Sequence, residues 1–276
     1  MPELPEVEVI CRGIRPFLVG HTITAIHSSG KRLRQPVPME AMQQEILNQT
    51  ITTVERRAKY LQIGLKKNGM LIIHLGMTGN LGIFSPSAAR AKHDHVQWSL
   101  DNGTELRYND IRRFGSIRLL SRYQINDREE TIFKTTGPEP FSDEFSANYL
   151  HKLAKGKNLA VKLFIMTNQI VAGIGNIYAN ESLFAAGIQP ARKVQTLTKT
   201  EWTRLVSEIR RVLSHAIECG GSTISDFLNA SQERGYFQIN FKVYGREGKT
   251  CPLCSTQIEK QKIGGRASFY CPICQK

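Results

Sequence analysis

Two places in this chain of 276 residues carry residue types at spacings that can do chemistry. One is a cysteine quartet at the carboxyl end: Cys251-Pro-Leu-Cys254, sixteen residues, then Cys271-Pro-Ile-Cys274. Two residues between cysteines let one tight knuckle aim both thiolates at a single ion, and two knuckles complete a tetrahedral shell. Four thiolates leave no position for water, so the expectation is one structural Zn2+ and no organic cofactor. The alternative, a pair of disulfides or free surface thiols, needs an oxidising compartment that nothing in the chain indicates. Cys11 and Cys219 stand outside the quartet and read as ordinary small buried residues.

The other place is Met1-Pro2-Glu3. Removal of Met1 would leave Pro2 as a secondary amine at the chain terminus. An α-amino group titrates near about 7.7, against about 10.4 for lysine, so much of it is neutral and nucleophilic at physiological pH. Attack by such an amine on an electrophilic sugar carbon gives an iminium ion, an electron sink for elimination. Glu3 and Glu6 lie close enough in sequence to move protons. Many chains begin Met-Pro without any such use, so this reading depends on the rest of the sequence.

The charge balance narrows the partners. With 37 Lys and Arg against 24 Asp and Glu, the formal charge is +13, which favours a polyanion, nucleic acid foremost. No apolar run reaches the roughly 18–20 residues of a membrane span. The acidic opening is wrong for a secretory or transit peptide, and cysteines without such a signal point to a reducing cytoplasm.

The positioning elements follow from pattern. Val7, Ile10, Ile14 and Leu18 predict a helix over about 5–18. Short β-rich runs recur at Thr22–Ile26, Tyr60–Leu65, Met70–Leu75, His95–Leu100, Thr104–Tyr108 and Ser116–Leu120. Asn68-Gly69 and Asn102-Gly103 between such runs read as hairpin turns, and the spacing suggests a β-sandwich or barrel. Thr135–Pro140 reads as a linker, with helical texture beyond it. Thr198 and Glu201 form a capping box ahead of a stripe made by Trp202, Leu205, Ile209, Val212, Leu213 and Ile217, and Gly220-Gly221 ends that helix. Gly173-Ile-Gly175-Asn176 lacks the third glycine of a dinucleotide loop, yet glycines opening a helix let backbone N–H groups approach a phosphate. His93-Asp94-His95 is an incomplete metal shell, with His95 read as structural.

Taken in order, the motifs resemble the formamidopyrimidine-DNA glycosylases. The resemblance rests on Met1-Pro2-Glu3-Leu4-Pro5-Glu6-Val7-Glu8, Arg57-Ala58-Lys59-Tyr60, His74-Leu75-Gly76-Met77-Thr78-Gly79 and Asp110-Ile111-Arg112-Arg113-Phe114-Gly115. It continues through Gly173–Tyr178, Glu181-Ser182-Leu183-Phe184 and Gly265–Cys271, so it covers essentially the whole chain. It implies an α+β multidomain fold: an N-terminal catalytic β-sandwich over 1–134, a helical helix-two-turn-helix module over 135–228, and a remainder over 229–276 holding the end of a base-capping loop and a zinc-finger β-hairpin. Double-stranded DNA would lie in a cleft between the halves. The implied activity is bifunctional: release of 8-oxoguanine and formamidopyrimidines, then β,δ-elimination through an N-terminal proline Schiff base.

Site residues carried by the resemblance are Pro2 as nucleophile, Glu3 as proton carrier and Lys59 beside a phosphate. His93, Asn176, Lys162 and Arg266 are DNA contacts, and Met77, Arg112 and Phe114 fill the gap left by the everted nucleotide. Glu6, Glu181, Ser222, Thr223 and Tyr236 are placed near the lesion pocket. Ile111 stands where the family commonly has proline, a change expected to loosen that loop. A monomer in the bacterial cytoplasm, associated with the nucleoid through DNA, completes the expectation. Two alternatives stay open: an endonuclease VIII-type enzyme for oxidised pyrimidines, which Leu4 and Val7 fit less well, and a non-enzymatic zinc-ribbon DNA-binding protein.

Overall fold

The helical spacing at the start of the chain becomes α1 (Leu4–Leu18), with Val7, Ile10, Ile14 and Leu18 all buried. The computed structural model describes residues 1–67, 69–121, 130–222 and 241–276; Asn68, Thr223 and Tyr236 lie outside them. The chain divides into two units. The first is Met1–Lys134 with the described part of Cys219–Tyr236, and the second is Thr135–Glu218 with the described part of Phe237–Lys276.

In the first unit eight strands are described: β1 (Ile23–Ser28), β2 (Ile51–Arg57), β3 (Tyr60–Leu65), β4 (Gly69–His74), β5 (Gly79–Phe84), β6 (Asp94–Leu100), β7 (Glu105–Asp110) and β8 (Ser116–Ser121). They form two antiparallel sheets, β1-β6-β7-β5 and β2-β3-β4-β8. Helix α1 packs on β2 and β5, one outer strand from each sheet. One core joins all three layers: Val7, Ile10 and Ile14 with Leu61, Ile63 and Ile73 and with Val96, Trp98 and Leu106. The short helices α2 (Met39–Glu45) and α3 (Glu130–Phe133) complete this unit.

Pattern reading missed β2 and β5 for different reasons. β2 buries only Ile51 and Val54, three apart, so it shows no period-two alternation. β5 carries Gly79 and Gly82, which weaken a strand pattern. The first of these glycines is obligatory, because a Cβ on Gly79 would stand 2.1 Å from the carbonyl oxygen of Leu75. The Asn102-Gly103 turn is as expected: Gly103 has φ +76°, and Asn102 Oδ1 accepts from Thr104 N at 3.0 Å.

The second unit contains α4 (Ala147–Ala154), α5 (Val161–Met166), α6 (Asn176–Ala185), α7 (Lys199–Glu218) and the hairpin β9 (Glu259–Ile263) to β10 (Arg266–Tyr270). The apolar stripe of α7 is core: Trp202, Leu205, Ile209 and Leu213 are buried, and Trp202 lies against Phe164 at 5.7 Å between ring centroids. Helix α6 packs on both α7 and β10. Gly264 and Gly265 turn the hairpin with φ of +55° and +77°, the two positive values that a two-residue turn of this hand demands. Among the described residues, no helix is long and apolar enough to cross a membrane.

The expected capping box opens α7. Thr198 N donates to Glu201 Oε2 at 2.8 Å, and Glu201 N donates to Thr198 Oγ1 at 3.2 Å. Arg192 pairs with the same carboxylate. The hydrogen bond from Arg192 leads in holding Glu201 down to about 2; burial opposes it and the bonds from Thr198 add to it. A depressed carboxyl stabilises above its unfolded value, near about 4.3, and loses that contribution as pH falls through the folded one. Glu201→Gln is therefore expected to lose about 1 kcal/mol at pH 7, given the partial exposure of the pair. Urea midpoints measured downward from pH 7 should show the gap from wild type closing between about 4.3 and 2. A gap that persists at the acid end would contradict the assignment.

Candidate active site and metal centre

Each unit carries its own cluster of the singled-out residues. In the first, Pro2 is buried directly ahead of α1, and Glu3 caps the helix with an extended backbone. Glu3 N donates to Glu6 Oε2 at 2.8 Å. The other oxygen of Glu6 accepts from Ser222 N at 2.9 Å and from Ser222 Oγ at 2.8 Å. Glu3 and Glu6 are 3% and 2% exposed. Gly221, at φ +82°, allows this close approach, for its Cβ position already lies 3.4 Å from Glu6 Cγ. Two buried carboxyl groups thus adjoin Pro2 at the opening of α1.

Lys59 sits in the two-residue turn Ala58-Lys59 that joins β2 to β3, across which Arg57 pairs with Tyr60. Ala58 has φ +53°, a region that residues with a Cβ enter at a cost. The ring of His74 lies 4.8 Å from that of Tyr60. Burial first, then the positive fields of Lys59, Arg34 and Arg118, push His74 down to about 4, so it is neutral at pH 7. Its Nδ1 accepts from Gly76 N at 3.0 Å.

Gly76 leads into the surface formed by Met77, Arg112 and Phe114. Met77 is 41% exposed and Phe114 47%. The Arg112 guanidinium stacks 4.6 Å from the centroid of the Phe114 ring. The two loops that carry these side chains are clamped together. A Cβ on Gly76 would come within 2.4 Å of Gly115 N, so the backbones touch there. Asp110 holds both: Thr78 Oγ1 donates to Oδ1 at 2.6 Å, while Gly115 N and the Tyr108 hydroxyl donate to Oδ2 at 2.9 and 3.2 Å. Arg112 N in turn donates to Thr78 Oγ1 at 3.0 Å. Ile111 is exposed, and the loop around it is pinned at Arg112 and Gly115, which offsets the loosening expected from the missing proline.

His93 joins the same network through its carbonyl, which accepts from Asp110 N at 3.1 Å. His95 is buried between Ser29 Oγ and the carbonyl of Asp110, at 3.0 Å from each. Asp94 accepts from Asn109 Nδ2 and Ala91 N. Among the described residues, this triplet forms no metal cluster.

In the second unit Asn176 opens α6, and Arg266 stands exposed at the start of β10. Asn176 Nδ2 donates to Ala267 O at 3.2 Å, which ties the helix opening to the residue after Arg266. Two expected site residues have their partners inside the second unit. Lys162, expected on DNA, is completely buried and donates to Ala267 O at 2.8 Å and Ser268 Oγ at 2.7 Å. Its ammonium braces the hairpin strand, because an ammonium in the interior needs acceptors on the spot. Glu181, expected near a lesion pocket, accepts the backbone N–H groups of Lys242, Val243 and Tyr244 at 3.0, 3.0 and 2.8 Å. Burial pushes its carboxyl up against those three bonds, and its place is under the segment leading to the cysteines.

The quartet closes on itself. The Sγ atoms of Cys251, Cys254, Cys271 and Cys274 all lie within 4.8 Å of one another. Sγ separations are 3.9 Å for Cys251–Cys274 and 3.4 Å for Cys254–Cys271. Zinc–sulfur bonds of about 2.3 Å at tetrahedral angles put sulfurs about 3.8 Å apart, whereas a disulfide needs about 2.05 Å. Leu253 N and Cys274 N each donate to a cysteine sulfur at 3.4 Å, as expected around a thiolate. Four soft donors with no room for water hold one structural zinc ion. Gln275 couples this end to the helical part by accepting from Cys271 N and donating to Ile188 O.

Sequence reasoning missed Asp110, Thr78 and Asn180, whose Oδ1 accepts from Phe269 N at 2.7 Å. Asp110 lies inside a family-matched motif without an assigned role; nothing local marks a carboxylate whose partners are 2 to 32 residues away.

Comparison with known proteins agrees with this arrangement. Residues 1–117 match the model of the formamidopyrimidine-DNA glycosylase N-terminal domain, 136–228 that of the H2TH domain of the same glycosylases, and 248–276 that of a zinc finger found in FPG and IleRS. The chain is 48% identical to the formamidopyrimidine-DNA glycosylase of Photobacterium profundum and 46% to that of Pseudomonas putida, over the full length of all three. It is also similar to a crystal structure of a Lactococcus lactis FPG point mutant with Fapy-dG-containing DNA, at 32% identity, full coverage of both chains and a TM-score of 0.91. A second structure, of the wild-type Lactococcus protein with DNA containing an oxidised pyrimidine, matches at 32% identity, full coverage and a TM-score of 0.90.

Loss of one thiolate should release the metal and loosen only its surroundings. Cys254→Ser is expected to lower bound zinc well below one equivalent per chain by atomic absorption. Amide NMR shifts should move in 241–276 and stay in place across the β-sandwich. Full zinc retention would show that the quartet is not the site.

Proposed function

The chain belongs to the formamidopyrimidine-DNA glycosylase family, and from that premise we propose that it is a bifunctional base-excision repair enzyme acting on oxidised purines in duplex DNA. The observation that carries this reading is the buried Pro2 set directly before the Glu3 cap, with Glu6 fastening that cap to Ser222. A sugar carbon inside a duplex is out of reach, so the damaged nucleotide must leave the stack.

The Pro2 nitrogen, freed of Met1, attacks C1′ of that nucleotide, and the bond from C1′ to the base breaks, the base leaving with the proton that the amine gives up. Glu3 delivers a proton to the ring oxygen as the sugar opens, leaving an iminium ion between Pro2 and C1′. That cation accepts the electrons released when a C2′ proton is lost, so the bond from C3′ to its phosphate breaks. A second elimination through the conjugated chain frees the 5′ phosphate. Lys59, on its fixed turn, stands as a phosphate contact and charge partner. Met77 and Phe114 supply stacking surface in place of the everted nucleotide, and Arg112 supplies donors to the orphaned base. His93, Asn176 and Arg266 grip the backbone without reading sequence. Lys162 serves Arg266 from behind, and the zinc ion stiffens the hairpin that presents it.

In this reading the functional parts are 1–134, 135–228 and 229–276, and the enzyme works in the bacterial cytoplasm on the nucleoid. A structure of the Lactococcus protein holds oxidised-pyrimidine DNA, so oxidised pyrimidines form a second substrate class to be measured beside purines.

Borohydride should trap the mature protein covalently on an 8-oxoguanine duplex, and a tag blocking the Pro2 nitrogen should abolish trapping while the melting curve stays in place. Trapping that survives the block would remove Pro2 as nucleophile. A thymine glycol duplex cut faster than the 8-oxoguanine one would shift the assignment to pyrimidines. Arg266→Ala should weaken binding equally across unrelated sequences and reduce the slope of log K against log salt by about one. A loss confined to one sequence would contradict a phosphate contact.

A further inference from the structure

One partly buried ion pair beside the candidate active site has no part in the chemistry above. Arg56 lies near the end of β2, and its side chain is 9% exposed; that of Glu8, on α1, is 15% exposed. Arg56 Nε donates to Glu8 Oε2 at 2.8 Å, and Nη1 donates to the carbonyl oxygen of Ala58 at 3.0 Å. The second oxygen of Glu8 accepts from Arg12 Nε at 2.7 Å, one helical turn on. Burial raises the Glu8 carboxyl, but the bonds from Arg12 and Arg56 outweigh it and hold the group below its ordinary value, so it is charged at neutral pH.

One guanidinium therefore joins the helix that follows Pro2 to the turn that carries Lys59. The turn needs such a tie. Ala58 is a non-glycine residue at φ +53°, and a backbone in that region persists only when its surroundings hold it. A two-residue turn is also a short lever: rotation about Ala58 would swing the next residue, Lys59, while the β2–β3 ladder stayed intact. A fully exposed pair of this kind contributes little to stability. This one is largely withdrawn from water and also donates to a turn carbonyl.

We propose that Arg56, braced by Glu8, is a positioning residue that fixes the Ala58-Lys59 turn against α1 and thereby sets where the Lys59 ammonium stands relative to Pro2. The planar fork of arginine suits the task, because it reaches two acceptors in fixed directions, and the single ammonium of a lysine cannot reproduce that geometry. The inference rests on the roles given above to Pro2 and Lys59.

The test is a double-mutant cycle. Arg56→Met, Lys59→Ala and the double variant are compared with wild type in single-turnover cleavage of an 8-oxoguanine duplex, with thermal melting and binding to a tetrahydrofuran duplex in parallel. Arg56→Met should stay folded at the assay temperature and keep its affinity for the tetrahydrofuran duplex. Its single-turnover rate should fall about 10- to 100-fold, the scale of a displacement of about 1 Å in a catalytic group. In the Lys59→Ala background the same change should cost nothing further, because the effect runs through Lys59. Arg56→Lys should fall between wild type and Arg56→Met.

An unchanged rate in Arg56→Met overturns the proposal, as does an equal loss in both backgrounds. Should Arg56→Met fail to fold, Glu8→Gln replaces it in the cycle; Glu8→Gln keeps an acceptor but drops the charge, and the same pattern is expected at smaller amplitude. Failure of the parent reading is seen separately, as a wild-type protein that forms no borohydride adduct with the lesion duplex.

Discussion

Glu6 fastens the opening of the first helix to the rest of its unit. One oxygen takes the N–H of Glu3, and the other takes the N–H and hydroxyl of Ser222. A carboxylate with 2% exposure survives burial only when donors replace its water. Here three donors do so, and hydrogen bonds to a charged group are worth about 1.5–3 kcal/mol each. Chain termini ordinarily fray. This one is held at the helix cap and again from the chain that returns to it at Ser222, so the residues ahead of the helix have a defined direction.

The same device recurs at two other places where the backbone leaves regular structure. Asp110 takes the N–H of Gly115 and, through Thr78, governs the N–H of Arg112. Glu181 takes three consecutive N–H groups at 242–244. Loops lack a ladder to satisfy their donors, and an orphaned buried N–H costs about as much as a lost hydrogen bond. A buried carboxylate solves both problems at once, since it needs donors and the loop needs an acceptor. Around Asp110 the result is a rigid mount for side chains that are themselves exposed, Met77 and Phe114 among them. Precision there comes from the loop base, which leaves the tips free to meet a ligand.

In the second unit zinc and lysine share one task. The thiolate shell closes the far end of the hairpin, while Lys162 and Asn176 both hold the carbonyl of Ala267 near its tip. Arg266 projects between these anchors. A hairpin of two five-residue strands is marginal on its own in water. Fixing it at both ends removes the bending that would blur the position of a single guanidinium.

Features encoded over a few residues are legible in the chain itself. The cysteine spacing, the periodicity of α1, the Thr198–Glu201 box and the Asn102-Gly103 turn are all short-range, and each appears in place. The motifs that carry the family resemblance are equally local. Edge strands such as β2 were not legible, because what makes them strands is the neighbour they pair with. Nor were the backbone partners that burial gives Lys162 and Glu181, 61 to 105 residues away. The sequence by itself determined which chemical groups exist, the metal they can hold and the short elements that carry them, since propensity and spacing act over a few residues. Only the tertiary structure decided which charges are buried and what each must bind there, because desolvation depends on every segment that closes over the group.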